Sequence, residues 1–131
     1  NMDFDKVISI FADSIKYYPS GVDAQMMEGI DLMKENISFY MANFENASFT
    51  EGSGLPGTDV AFWGGNTYPV AEAMSGPNNV RMYGSWNITN SNTGKSANFK
   101  QYCVWSFNDD GKVHTVTEYL DLGGLLATFD E

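Results

Sequence analysis

Cys103 and His114 are the two residues whose types could form a nucleophilic pair, in which an imidazole activates a thiol. The chain has only one cysteine and one histidine, and a buried, unreactive thiol is by far the commoner role for such a cysteine. A single histidine also cannot supply a histidine-rich metal site. We therefore predict no metal site and give the thiol no nucleophilic role.

Residues 52–57 match the GxGxxG pattern of dinucleotide-binding loops. That pattern carries meaning only after a strand, before a helix, and with an acid about twenty residues later. Neither element is evident here, and Pro77 stands where the acid belongs. The segment Asn108–Gly111 likewise lacks the spacing of a calcium loop. The sequence therefore predicts no cofactor.

The length of 131 residues is typical of one domain, and we predict a single domain over residues 1–131. Hydrophobic residues make up 43% of the chain and aromatic residues 15%. Ligand pockets are lined mostly by apolar and aromatic groups, so the aromatic share is a first hint of a cavity. An aromatic-rich core without a cavity explains the composition equally well.

The formal net charge is -10, from 17 acidic and 7 basic residues. Such a charge repels nucleic-acid phosphates and anionic lipid surfaces. No run approaches the ~20 apolar residues that a membrane span needs, and the first residues are acidic where a signal peptide is basic. The single cysteine excludes an internal disulfide. We predict a cytoplasmic protein with no nucleic-acid or membrane partner.

Two helices are predicted in the first third of the chain. Apolar residues recur at helical spacing within residues 3–12, and Asp3 can cap that helix. A second, longer helix is predicted over residues 23–44, where apolar residues form one stripe with steps of three and four. Between them, Ile15–Tyr18 is a short run with strand character, ended by a turn.

Three strands are predicted in the last half of the chain. They are Val80–Thr89, Asn98–Phe107 and Val113–Leu120. The last two flank Asn108–Gly111, whose Asp-Gly pair favours a hairpin turn because both residues tolerate positive φ. Helices followed by sequential antiparallel strands predict an α+β class, with the helices packed on one face of the sheet.

The remaining segments are less regular. Residues 50–79 are rich in Gly, Pro, Asn and Thr, and we predict a long loop with a strand near Val60–Trp63. Such a loop is either a pocket wall or an excursion over the surface. At the end of the chain we predict a Gly-Gly break and a short apolar tail, with Asp121 capping the turn that leads into it.

Residues 107–126, FNDDGKVHTVTEYLDLGGLL, resemble the closing hairpin of the nuclear transport factor 2-like superfamily. That group includes SnoaL-like polyketide cyclases, ketosteroid isomerases and limonene epoxide hydrolase. Residues 11–19, FADSIKYYP, are similar to the first strand of the same group. The resemblance implies a strongly curved antiparallel β-sheet with N-terminal helices packed on its concave face, forming a cone-shaped pocket.

The resemblance also implies which strand positions face that pocket, and alternation extends the assignment along each strand. The pocket positions are Met82, Gly84, Trp86, Ile88, Phe99, Gln101, Cys103, Trp105, His114, Val116, Glu118 and Leu120. Eight of these we expect to bind a small apolar organic substrate, namely Met82, Trp86, Phe99, Gln101, Cys103, Trp105, Val116 and Leu120. The opposite face, with Thr115, Thr117 and Tyr119, implies a homodimer through the back of the sheet.

Ketosteroid isomerase activity is disfavoured residue by residue. The position of the isomerase base is Tyr18 here, and the position of its oxyanion-hole Asp is Cys103. Its tyrosine donor lies on a preceding helix that the resemblance does not find in these 131 residues. A phenol with a pKa of ~10 is a poor base, and a thiol is a weak hydrogen-bond donor.

Glu118 stands where the resemblance places the acid of the cyclases and the epoxide hydrolase. A carboxylate facing an apolar cavity has a raised pKa and can act as a general acid or base. We therefore predict a cofactor-independent lyase, isomerase or cyclase, with Glu118 moving the proton and Tyr18 and Gln101 orienting the substrate. Asp121 is the alternative acid if a bulge shifts the register. A non-catalytic ligand-binding or dimerisation module is the alternative function.

Overall fold

The computed structural model describes residues 3–51, 62–65 and 78–130. The helices are α1 (Phe4–Ile8), α2 (Ile30–Asn43) and α3 (Leu122–Asp130). The strands are β1 (Phe11–Tyr18), β2 (Met27–Glu28), β3 (Phe44–Glu51), β4 (Phe62–Gly65), β5 (Asn79–Asn90), β6 (Ser96–Phe107) and β7 (Val113–Tyr119). Among the described residues, no helix is long and apolar enough to cross a membrane.

The strands form one sheet in the order β2-β1-β7-β6-β5-β3, and β4 also pairs with β5. Every pair is antiparallel except β1–β7, which is parallel. Three pairs contain register shifts, and such irregularities bend a sheet. The predicted α+β class, with helices on one face of a curved sheet, is confirmed. We call the face covered by α2 the concave face.

The first helix is shorter than predicted. Asp3 caps it, since its Oδ1 accepts a hydrogen bond from the Lys6 amide at 3.1 Å, but α1 ends at Ile8 rather than at residue 12. Phe11 instead begins β1 and pairs with Val113 of β7. Pairing with a strand about a hundred residues away outweighs the local helical spacing, which is the usual way that tertiary context overrides propensity.

The second helix begins seven residues later than predicted, at Ile30 rather than Asp23. Asp23 has a φ of 56° in a turn, and Met27–Glu28 pairs with β1 as a short strand. Gly29, with a φ of 98°, then turns the chain into the helix. The helix ends at Asn43, so Phe44, predicted as its last apolar position, starts β3.

The predicted hairpin between β6 and β7 is confirmed. Asn108 Oδ1 accepts hydrogen bonds from the amides of Asp110 and Lys112 at 3.1 and 2.9 Å, and Gly111 has a φ of 71°. The strand that follows contains a bulge, because Val113 and Val116 both lie in the core. His114 is therefore at the register shift between them, where it is half-buried.

Two apolar clusters lie on the concave face. The large cluster contains Phe11, Ile15, Tyr17, Met33, Met82, Cys103, Val113 and Val116, and Ile30 and Ile37 of α2 pack against it. The small cluster contains Ile88, Ala97 and Leu125, and Phe44, Phe99, Leu120 and Phe129 pack against it. The apolar stripe predicted for α2 thus packs on the sheet through the first two turns of the helix.

The chain ends in a helix rather than the predicted Gly-Gly break and tail. Asp121 caps α3, because its Oδ1 accepts a hydrogen bond from the Gly124 amide at 2.9 Å. Gly123 and Gly124 therefore lie in the first turn of the helix. Leu125 is buried in the small cluster, and this burial stabilises a helix that its two glycines disfavour.

Gly84 lies where the ring of Phe49 crosses β5. A Cβ at this position would collide with that ring and would lie 2.6 Å from the backbone oxygen of Thr50. The missing side chain lets Phe49 pack on Trp86, with ring centroids 5.0 Å apart. Gly84 therefore determines how closely β3 and Trp86 approach each other.

Gly84→Ala is expected to lower the free energy of unfolding by about 1–3 kcal/mol, the usual range for overpacking a core. Urea denaturation followed by circular dichroism measures the change. Gly123→Ala is the matched control, since its Cβ would meet nothing closer than 3.9 Å and alanine favours a helix. Equal stability of Gly84→Ala and wild type would contradict the close approach of Phe49.

Candidate functional site

Four polar side chains from four adjacent strands form a continuous hydrogen-bonded row on the concave face. The Tyr17 hydroxyl of β1 donates to Oε1 of Glu118 on β7. Gln101 Nε2 of β6 donates to Glu118 Oε2 at 2.9 Å, and Trp86 Nε1 of β5 donates to Gln101 Oε1 at 2.9 Å. We call these four residues the polar row.

Strand alternation places the polar row between the two apolar clusters. Glu118 lies two residues from Val116 of the large cluster and two residues from Leu120, which packs on the small cluster. Gln101 has the same relation to Cys103 and Phe99. Residues two apart on a strand share a face, so the row is a polar belt within an otherwise apolar surface.

The orientation of the Gln101 amide follows from its neighbours. An indole N–H can only donate, so Trp86 requires the carbonyl oxygen of Gln101. The amide nitrogen then points to Glu118 and donates to it. Trp86 therefore determines, through Gln101, that Glu118 receives a hydrogen-bond donor on Oε2.

Ser20 fixes the backbone on either side of the carboxylate. Its hydroxyl donates to the carbonyl oxygen of Glu118 at 2.8 Å and accepts from the Leu120 amide at 2.9 Å. These two bonds continue the β1–β7 contact beyond the end of β1. Ser20 was not among the predicted site residues, and the available signal was a serine directly after a proline at the end of a strand.

Burial raises the pKa of Glu118 above its ordinary value, and hydrogen bonds from Tyr17, Ser20 and Gln101 oppose that rise. Burial and the nearby carboxylate also raise the pKa of the Tyr17 and Tyr40 hydroxyls. The same two causes raise the pKa of Cys103 to about 12. The two hydroxyls and the thiol are therefore neutral near neutral pH, and Glu118 is the only carboxyl group among these four.

The residues predicted to bind substrate all lie on the concave face. Met82, Cys103 and Val116 are buried in the large cluster, and Trp105 packs against it. Phe99 and Leu120 pack against the small cluster. Trp86 and Gln101 belong to the polar row, which leaves those two as the predicted binding residues nearest to the carboxylate.

The hydroxyl that donates to the Glu118 carboxylate belongs to Tyr17 rather than to Tyr18. In the parallel β1–β7 pair, Tyr17 is in register with Val116 and Tyr18 with Thr117. Tyr17 is buried in the large cluster, so alternation directs Tyr18 to the back of the sheet, where it is 41% exposed. The tyrosine that contacts the carboxylate is therefore Tyr17.

A shallow depression of about 350 Å³ lies at the ends of β1 and β7. Its lining residues are Tyr18, Pro19, Ser20, Gly21, Thr117, Glu118, Tyr119 and Leu120. Tyr18, Thr117 and Tyr119 belong to the back of the sheet, whereas the hydrogen bonds of the Glu118 carboxylate lie on the concave face. The depression therefore lies mainly toward the back of the sheet, and Glu118 is the member of the polar row that lines it. Within residues 3–51, 62–65 and 78–130, no three acidic, His or Cys side chains could hold a metal ion.

Solved structures share this fold at low sequence identity. An NTF2-like protein of unknown function from Exiguobacterium sp. 255-15 superposes with a TM-score of 0.65 at 17% identity, over 91% of this chain and 83% of its own. A protein with a ketosteroid isomerase-like fold from Catenulispora acidiphila, solved in complex with trimethylamine, has a TM-score of 0.65 at 12% identity, over 98% and 82%. A provisionally assigned polyketide cyclase from Pseudomonas putida has a TM-score of 0.65 at 6% identity, over 96% and 85%.

No protein-family model matches the chain, and no curated protein matches it at a significant level. The structural likeness nevertheless covers nearly the whole chain and most of each neighbour. The chain therefore has the NTF2-like fold, as the resemblance of its closing hairpin predicted. At sequence identities this low, the structural likeness establishes the fold alone, because the same fold hosts different activities.

Proposed function

We propose that this protein binds a small organic molecule on its concave face and that Glu118 is the general acid or base of a cofactor-independent isomerase, lyase or cyclase. The observation that carries the proposal is a partly buried carboxylate held by Tyr17 and Gln101 between two apolar clusters. A raised carboxylate pKa brings the group closer to the operating range of an acid–base catalyst. The trimethylamine complex of the Catenulispora protein supports a small organic ligand in this fold.

The roles follow from the contacts. Glu118 would move the proton, while Gln101 and Tyr17 would hold its two oxygens in place and stabilise the charge that it carries between steps. Met82, Trp86, Phe99, Cys103, Trp105, Val116 and Leu120 would supply the apolar surface that binds the substrate. We do not propose ketosteroid isomerase activity, because Tyr18 and Cys103 occupy the positions of its acids. The net charge of -10 disfavours a nucleic-acid or membrane partner, and the single cysteine fits the reducing compartment of a cytoplasmic protein.

The alternative is a ligand-binding or dimerisation module without catalysis. One observation favours it, a stack of tyrosines on the back of the sheet. The rings of Tyr83 and Tyr102 lie 4.7 Å apart, and those of Tyr102 and Tyr119 lie 5.5 Å apart. Tyr119 is 58% exposed. Rigid aromatic side chains of this kind are enriched at protein interfaces, so the back of the sheet would join two copies.

Deuterium exchange tests the catalytic role without knowledge of the natural substrate. A base that takes a proton from carbon also exchanges it with solvent, so the wild-type protein is incubated in D₂O with a panel of small ketones and diketones. Proton NMR then follows the loss of the α-hydrogen signals. We expect exchange with at least one compound, reduced by about 10²-fold or more in Glu118→Gln, the usual contribution of a general base.

The exposed Glu35 of α2 provides the matched control, because Glu35→Gln removes the same charge away from the site. Exchange that persists in Glu118→Gln would contradict the role of Glu118. Binding without exchange for every compound would favour the ligand-binding module. If no compound binds or undergoes exchange, and the protein is a dimer in sedimentation equilibrium, the dimerisation module would be favoured.

A further inference from the structure

No basic residue of the chain pairs with the carboxyl group of Glu118. All seven Lys and Arg residues and the one His lie within the described residues. Lys16 pairs with Glu28 at 4.0 Å and Lys34 with Asp31 at 3.2 Å, and neither pair involves Glu118. A partly buried anion without a counter-charge is costly, since neutral donors replace only part of its hydration.

Strand alternation explains why no cation reaches Glu118. Lys16, Arg81 and Lys100 each lie next to a residue of the concave face on its own strand, namely Tyr17, Met82 and Gln101. Their side chains therefore start from the back of the sheet. His114 lies at the bulge near the other end of β7. Strand alternation therefore places none of these lysine and arginine side chains on the concave face.

The titratable groups that face Glu118 from the neighbouring elements are all neutral hydroxyls or a thiol. They are Tyr17 of β1, Cys103 of β6 and Tyr40 of α2. Each has a raised pKa, so none becomes a second anion and none can become a cation. The carboxylate can accept about four hydrogen bonds, and Tyr17 and Gln101 use one on each oxygen.

Aromatic side chains lie in and beside the polar row that holds this carboxylate. Trp86 ends the polar row, and Phe49 packs on Trp86 with the ring planes 55° apart. Tyr40 lies close enough for the carboxylate to raise its pKa, and its side chain is 37% exposed. Trp86, Gln101 and Glu118 are also partly exposed, so the row is open to a ligand. A carboxylate beside aromatic faces is the chemistry that attracts an ammonium group.

Building on the proposed function, we infer that the molecule bound on the concave face is a small organic cation, a tertiary or quaternary amine whose apolar groups contact the two clusters. Glu118 is its counter-charge, and Trp86 and Tyr40 contact its alkyl groups through cation–π interactions. The net charge of -10 raises the local concentration of such a cation and repels organic anions. The predicted apolar ligand therefore carries one positive charge.

Choline and neohexyl alcohol are the probes that isolate this charge, because the alcohol has carbon in place of the quaternary nitrogen and nearly the same shape. Titration calorimetry of the full chain measures both affinities. We expect the affinity for choline to exceed the affinity for the alcohol by about tenfold or more, because one partly desolvated charge pair contributes binding free energy of that order. In Glu118→Gln the two affinities become equal, whereas Glu35→Gln keeps the preference.

The second measurement is the affinity of the wild-type protein for both probes over a series of pH values. It does not depend on whether a variant folds. Choline affinity rises as Glu118 ionises with increasing pH, and the affinity for the alcohol stays constant. Equal affinities of the two probes, no binding of choline, or a preference that survives in Glu118→Gln would overturn the inference. An alcohol that binds as well as choline leaves the proposed function intact, because deuterium exchange tests that function independently.

Discussion

Glu118→Gln is expected to make the protein more stable near neutral pH and to leave its stability nearly unchanged in acid. Burial raises the pKa of Glu118 in the folded state. Between the unfolded and folded pKa values, the folded state binds more protons, so the free energy of unfolding falls as pH rises through that interval. The glutamine side chain of the variant is neutral at every pH, so the variant does not undergo this loss. Each unit of raised pKa corresponds to about 1.4 kcal/mol.

Thermal melts of wild type and variant from about pH 4 to about pH 8 measure the effect, in a range that spans the ordinary glutamate pKa and values above it. We expect the two curves to meet at the acidic end and to separate toward neutral pH. Glu35→Gln should follow the wild-type curve, because Glu35 is exposed. A variant that is less stable than wild type at neutral pH would show instead that the ionised carboxylate stabilises the fold.

Tyr17→Phe is expected to raise the pKa of Glu118 further. The Tyr17 hydroxyl donates to Oε1, and this bond lowers the carboxyl pKa against the effect of burial. Phenylalanine keeps the ring in the large cluster and removes only the donor. We also expect the free energy of unfolding at neutral pH to fall by about 1–3 kcal/mol, because a buried charged acceptor loses its partner. The loss should shrink in acid, where the carboxyl group is protonated.

Carbon NMR of the labelled Glu118 carboxyl group through a pH titration measures the shift directly. Tyr119→Phe is the matched control, since Tyr119 lies on the back of the sheet and is 58% exposed. An unchanged or lowered pKa in Tyr17→Phe would contradict the role of this hydroxyl in stabilising the ionised form. The Tyr119 variant should titrate like the wild type.

The strands and their faces were the part of the fold that the sequence predicted best. The runs around β5, β6 and β7 and the Asp-Gly turn are local signals, and each depends on residues close together in the chain. Once the resemblance assigned one position, period-two alternation extended the assignment to Gln101 and Glu118. Their hydrogen bond at 2.9 Å agrees with that face, although it leaves the role of Glu118 to experiment.

The element boundaries in the first third were predicted less well, since distant contacts decide them. Phe11 fits a helical stripe, yet it pairs with Val113. Met27 and Glu28 fit the start of a helix, yet they pair with Tyr17 and Lys16. Local spacing cannot reveal a strand partner elsewhere in the chain, so α1 and α2 were both predicted too long.

The sequence, together with the resemblance, determined much of the chemistry available on the concave face: the acid Glu118, a high share of aromatic side chains and a net charge of -10. Only the tertiary structure decided which groups meet that acid. The parallel β1–β7 register brings Tyr17 rather than Tyr18 to Glu118 across 101 residues of sequence. The bulge in β7 places His114 at a register shift. Both outcomes depend on register, and a shift of one residue moves a side chain to the other face of a sheet.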